Sequence, residues 1–114
     1  MDFKKKVPFE DRLKESERIM AKYPDRIPII VEKLKNSNAP DIGKHKYLVP
    51  DDLTISQFMY VIRKRIKLGP EEAIYIYVNK SLPPGSSLIS QIYKDNKSKC
   101  GFLFVEYCCE NTFG

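Results

Sequence analysis

The residues best suited to chemistry stand at the end of the chain, where Asn111-Thr112-Phe113-Gly114 puts a glycine with a free α-carboxylate on a polar tail. Glycine enters a narrow enzymatic channel and offers its carbonyl carbon to a nucleophile with no Cβ in the way, which suits a carboxyl terminus activated by other enzymes. Gly114 is therefore the candidate reacting group. Other chemistry-bearing types are sparse. His45 is the single histidine, lies in a lysine-rich loop and has no acid or nucleophile beside it in sequence, so it reads as a surface residue. Cys100, Cys108 and Cys109 are odd in number and lack metal-ligand partners at useful spacing, which argues against a disulfide framework and a metal site. If the last strand reaches Cys108 and Cys109, one points to the core and the other outward, with a redox pair as the alternative. No catalytic constellation is visible, so an enzyme is the least favoured class, and no cofactor is expected.

The elements that position this tail must come from 114 residues, 42% hydrophobic and 31% charged, the profile of one soluble globular domain spanning 1–114. No apolar run approaches a bilayer span, and Met1-Asp2-Phe3-Lys4-Lys5-Lys6 has no apolar segment behind it, so a membrane-spanning or secreted chain is not expected. The cysteine usage points to a reducing, cytoplasmic compartment. Net charge is +5, with twelve basic and eight acidic side chains in residues 1–50 against eight and seven in 51–114. That balance suits acidic peptides, anionic lipid or nucleic acid, or simple solubility, and does not choose among them.

Residues 9–23 read as an amphipathic helix, with Phe9, Leu13, Ile19, Met20 and Tyr23 to one side and Pro24 ending it. A shorter helix around Phe3 to Lys6 precedes it, with Pro8 at the corner. Arg26 to Leu34 is rich in β-branched residues and reads as a strand, and Lys46 to Val49 as a second, stopped by Pro50-Asp51-Asp52. Thr54-Ile55-Ser56-Gln57 has capping-box spacing and opens a helix whose face is Ile55, Phe58, Met59, Ile62 and Ile66, ending at Gly69-Pro70. Ala73 to Val78 is a third strand, Ser87 to Lys94 a short helix and Phe102 to Tyr107 a fourth strand. A hairpin, one long helix and two further strands predict an α+β, ubiquitin-like β-grasp fold. Its four-stranded mixed sheet forms a core over 26–108, with added N-terminal helices in 1–24 and a tail at 109–114.

Several motifs in this order resemble the autophagy ubiquitin-like modifiers, the group of GABARAP and microtubule-associated protein light chain 3. They are Lys22-Tyr23-Pro24-Asp25-Arg26-Ile27-Pro28, Lys46-Tyr47-Leu48-Val49-Pro50, Phe58 through Ile66, Val78-Asn79, Leu82-Pro83-Pro84, Gly101-Phe102-Leu103 and the tail to Gly114. The likeness covers essentially the whole chain. It implies a modifier adenylated at Gly114 by an activating enzyme, passed through thioesters to a conjugating enzyme and joined by an amide to phosphatidylethanolamine. The product is a peripheral, lipid-anchored protein of the autophagosome membrane, found also in the cytoplasm and in the vacuole or lysosome. A cysteine protease trims family precursors beyond this glycine and later removes the lipid; here nothing follows Gly114, which fits a matured form or a gene that ends there. Phe113 and Arg65 would serve recognition of the tail and docking of these enzymes. Cys100, Cys108 and Cys109 depart from the family pattern, which more often has an acidic residue at the first position and small or polar ones at the others.

The second strand is the other functional element. At an exposed sheet edge its backbone groups can pair with an extended peptide while alternate side chains of that peptide enter pockets on either side. Carried over from the resemblance, Glu15, Ile19, Pro28, Ile30, Lys46, Leu48 and Phe102 would line a pocket for an aromatic residue. Tyr47, Val49, Pro50, Leu53, Phe58 and Val61 would line one for Leu, Ile or Val. Cargo receptors with Trp/Phe/Tyr-x-x-Leu/Ile/Val motifs are the implied ligands, and Arg26, Lys44 and Lys46 would attract their acidic flanks. Without the resemblance the apolar members of both sets read as plain core. The run Arg63-Lys64-Arg65 with Lys67 reads as a solvated helix face rather than a nucleic-acid patch, and Lys4-Lys5-Lys6 as solvated rather than a contact for tubulin or anionic lipid. The competing function is a non-covalent ubiquitin-like adaptor that binds peptides or tubulin in intracellular trafficking and does not need Gly114.

Overall fold

The computed structural model describes residues 2–69 and 71–109, so the expected reacting group Gly114 and its neighbour Phe113 lie outside the described residues. Two helices lead the chain, α1 over Asp2–Lys6 and α2 over Phe9–Lys22, with Pro8 fixing the entry to α2 at φ −59°. Strand β1 runs over Arg26–Lys33 and β2 over Lys46–Pro50. Helix α3, Ile55–Arg65, starts where its capping box predicts: Gln57 N–H donates to Thr54 Oγ1 at 3.2 Å and Thr54 N–H to Gln57 Oε1 at 2.9 Å. Strand β3 (Tyr75–Tyr77), helix α4 (Ile89–Asn96) and strand β4 (Leu103–Cys108) follow.

The end of α3 differs from expectation. The helix stops at Arg65 rather than at Gly69-Pro70, because Lys67 adopts φ +59° and closes a Schellman motif, with Lys67 N–H on Lys64 O at 3.3 Å and Leu68 N–H on Arg63 O at 3.2 Å. Strand β3 is also shorter than Ala73 to Val78, and α4 begins two residues after Ser87 with Leu88 as its N-cap.

The sheet order is β2-β1-β4-β3, with β1 antiparallel to β2 and parallel to β4, and β3 antiparallel to β4. This mixed sheet with α3 against it is the β-grasp arrangement. Pro28 sits in the central strand without loss. His45 O accepts from Val31 N–H and Asp25 O from Asp51 N–H, so by the alternation of an antiparallel ladder the odd-numbered residues of β1 bond β2. The missing N–H of Pro28 therefore faces β4, one residue before the parallel ladder opens at Ile29 and Leu103.

One face of the sheet carries the main core, where Ile29, Val31, Leu103, Val105 and Tyr107 pack with Phe58 and Ile62 of α3 and Ile89 of α4. The other face carries a smaller cluster of Ile30, Cys100 and Phe102, covered by Phe3 of α1 and Ile19 of α2. Helix α2 is held to the lead-in of β4 by buried Ser16, whose Oγ donates to Cys100 O. Gly101, at φ +92°, is required there, since a Cβ would collide with Ser16 Oγ.

Candidate functional site

Strand β2 lies at an edge of the sheet, with β1 as its one neighbour among the described residues. Its residues alternate in burial, with Tyr47 and Val49 buried on the α3 side while Lys46 and Leu48 remain accessible on the α2 side. The strand thus divides the expected site into two surfaces.

On the α2 side, Leu48 stands across from Pro28 and Lys46 across from Ile30 in the β1 ladder. Ile30 and Phe102 share one cluster with Ile19. Lys46 reaches from the edge strand to α2, its Nζ 2.8 Å from Glu15 Oε1 and 3.1 Å from Oε2. All seven residues expected around the aromatic pocket thus connect. Pro28, Ile30 and Phe102 are fully buried, whereas Glu15, Ile19, Lys46 and Leu48 remain accessible on the same side of the sheet.

On the α3 side, Tyr47 meets Phe58 edge to face, ring centroids 6.0 Å apart, and both belong to the main core with Val49. Leu53 packs partly buried against them, and Pro50 is exposed at the strand end. Val61 is exposed on α3 in a shallow groove shared with Tyr60, Lys64 and Arg65. Tyr47 and Phe58 are therefore core residues, whereas Leu53, Pro50 and Val61 remain accessible. Burial raises the pKa of Tyr47, and the Arg65 guanidinium opposes the shift. Tyr47 Oη is buried without a hydrogen-bond partner, and the Lys44 ammonium lies 5.2 Å from the centre of its ring.

The cations expected to meet acidic flanks are separated. Arg26 pairs with Pro50 at one end of β2, while Lys44 precedes the strand at the other, where Arg65 also lies. Exposed His45 is held by Nδ1, which donates to Val31 O at 2.8 Å, the carbonyl being able only to accept. Asp41 nearby has its pKa lowered by a hydrogen bond from Lys33 and by that cation's charge, at 2.8 Å. Cys108 is buried and Cys109 half-buried, and β4 ends between them. Among the described residues no group of three or more His, Cys, Asp and Glu is placed to hold a metal ion, and no helix is long and apolar enough to cross a membrane.

Sequence reasoning missed how α1 is attached. Glu32 accepts the backbone N–H of Asp2 at 2.9 Å and of Phe3 at 2.8 Å, and Phe3 packs on Phe102 with ring centroids 5.7 Å apart, on the same face of the sheet as Ile19. A cavity of about 420 Å³ lies beside this joint, between α1 and the segment before β2. The only sequence signal was an aromatic inside the short basic helix.

The chain matches the family model "Autophagy protein Atg8 ubiquitin like" over residues 11–114. It is 59% identical over 112 residues to Autophagy-related protein 8 of Candida glabrata, covering 98% of this chain and 95% of that one. Autophagy-related protein 8a of Arabidopsis thaliana is 58% identical over 112 residues, with 98% of this chain and 92% of that one covered. The crystal structure of Trypanosoma brucei ATG8 aligns with a TM-score of 0.94 at 39% identity, over 100% of this chain and 98% of that chain. Plasmodium falciparum Atg8, solved in complex with a Plasmodium falciparum Atg3 peptide, aligns at 0.88 with 34% identity over 96% of both chains.

Proposed function

The chain belongs to the Atg8 family of ubiquitin-like autophagy proteins, and from that membership we propose that Gly114 is its point of conjugation to phosphatidylethanolamine and β2 its groove for partner peptides. The observation that carries the groove is the free edge of β2 between two surfaces of different character. An extended peptide adds a strand along β2. Its aromatic side chain enters between Leu48, Ile19 and the Lys46–Glu15 pair, and its aliphatic one settles over Leu53, Pro50 and Val61. That a relative is solved with a bound peptide supports this use of the fold.

Conjugation requires an activating and a conjugating enzyme, and a cysteine protease for trimming and release, all acting at Gly114 with Phe113 and Arg65 as recognition points. The chain then needs no nucleophile or base of its own, and serves as a modifier and recruiter rather than an enzyme. Its working place is the autophagosome membrane, with pools in the cytoplasm and the vacuole or lysosome. Cargo receptors with Trp/Phe/Tyr-x-x-Leu/Ile/Val motifs are the peptide partners.

Intact-mass spectrometry after incubation with the two enzymes, ATP and phosphatidylethanolamine vesicles tests the covalent half. The expected result is a gain of one lipid, absent when Gly114 is deleted; an unmodified mass with competent enzymes leaves the non-covalent adaptor as the better account. For the groove, Leu48→Ala is the cleaner variant, because Tyr47→Ala also removes core. Calorimetry with a Trp-x-x-Leu peptide should show binding lost in Leu48→Ala, and retained binding overturns the assignment.

A further inference from the structure

Strands β1 and β4 are parallel and β2 antiparallel to them, so the end of β1, the start of β2 and the exit of β4 at Cys109 lie at one end of the sheet. Helix α3 begins beside the far end of β2, where Leu53 N–H bonds Pro50 O, and runs back past Tyr47, which meets its Phe58, so its last turn reaches the same end, where Lys44 lies over the Tyr47 ring. Five exposed cations therefore surround the exit: Lys35 after β1, Lys44 before β2, and Lys64, Arg65 and Lys67 on and after α3. None of the five forms an ion pair among the described residues. Most carboxylates at this end are engaged: Asp41 by Lys33, Glu32 by the N–H groups of Asp2 and Phe3, and Glu72, beside Glu71, by the N–H of Gly69, while Glu106 stands across from Glu32 on β4.

We propose that this basic end of the fold is a contact surface for an anionic lipid bilayer, an inference that rests on the conjugation reading for its orientation. Five residues lead from Cys109 to Gly114, a reach of at most about 18 Å, so a lipid on Gly114 holds this end, and no other, close to the headgroups. The screening length at physiological salt is about 8 Å, so only cations at the tethered end feel the negative surface potential. The surface orients the protein on the membrane and leaves the opposite end of the sheet directed toward the cytosol.

The test uses the full, unconjugated chain and vesicles of phosphatidylcholine alone or with one third phosphatidylserine. Flotation should show binding to the second kind only, weakening as salt rises. A triple variant, Lys35→Glu, Lys64→Glu and Lys67→Glu, should lower that binding by about tenfold or more. Lys22→Glu, Lys97→Glu and Lys99→Glu make the same charge change at the opposite end of the sheet and should lower it far less. Circular dichroism of both variants shows that they fold. Equal losses in the two variants, no preference for phosphatidylserine, or binding to duplex RNA without binding to vesicles overturns the proposal. Conjugation is read separately by the mass gain at Gly114, so either result can fail while the other stands.

Discussion

Lys46 and Glu15 join the sheet edge to α2 across the mouth of the proposed aromatic pocket, Nζ to Oε1 at 2.8 Å, with the lysine side chain 54% and the glutamate 21% exposed. A pair this wet contributes about 1 kcal/mol or less to folding. Its effect is on access, because a ligand entering between these side chains must share Lys46 with Glu15.

Glu15→Gln should therefore leave the melting temperature nearly unchanged while strengthening the binding of peptides with carboxylates before their aromatic anchor. Calorimetry with an acidic-flanked and a neutral-flanked peptide checks this. A loss of affinity for both would show that Glu15 itself contacts the ligand.

Phe58 and Leu48 should separate stability from recognition. Phe58 is fully buried against Tyr47, so Phe58→Ala should cost about 3–5 kcal/mol in chemical denaturation. Leu48 is only half-buried, and Leu48→Ala should cost much less in folding and far more in peptide binding. Similar unfolding midpoints for the two variants would contradict this division.

Alkaline pH should destabilise the protein through Tyr107. Burial, followed by the charge of Asp41, pushes its pKa from 10.0 to about 12, and its hydroxyl donates to Pro40 O at 2.7 Å. The folded state then holds this proton after the unfolded state has lost it, so stability is unaffected below pH 10 and falls as pH rises from 10 toward 12. Ultraviolet titration of phenolate absorbance should show a late-ionising fraction in the folded protein. Tyr47 and Tyr93, both raised by burial, belong to the same late fraction. All tyrosines ionising together near 10 would contradict the assignment.

Glu32→Ala should release α1. Five residues cannot sustain a helix alone, and the two N–H groups bonded to Glu32 would lose their acceptor. Hydrogen exchange should rise in residues 2–7 while α3 and β1 stay protected. Unchanged protection at Phe3 would mean that its packing on Phe102 suffices to hold the helix.

The elements were legible wherever one stretch of sequence held both the pattern and its punctuation. The capping box of Thr54 and Gln57 opened α3 as expected, and Pro24 closed α2 within one residue. The end of α3 was not legible, because Lys67 occupies a left-handed position that glycine usually signals, and Gly69 drew the expected boundary too far. At the site, the alternation along β2 was readable, but the apolar pocket members could not be sorted into floor and wall. Phe58 and Val61 are three residues apart on one helix, yet one is wholly buried and the other is not. Contacts such as Lys46 with Glu15 and Glu32 with Phe3 join residues about thirty positions apart and leave no local trace.

The parallel pairing of β1 with β4 also governs when the protein can fold during synthesis. Ile29 pairs in register with Leu103, so the middle of the sheet stays open until β4, the last strand among the described residues, has left the ribosome. Until then β1 has only its hairpin partner, and Ile30 lacks Phe102 in the cluster beneath α2. A nascent chain therefore cannot present the closed sheet, or the peptide groove proposed along its edge, until β4 has been made and has paired with β1.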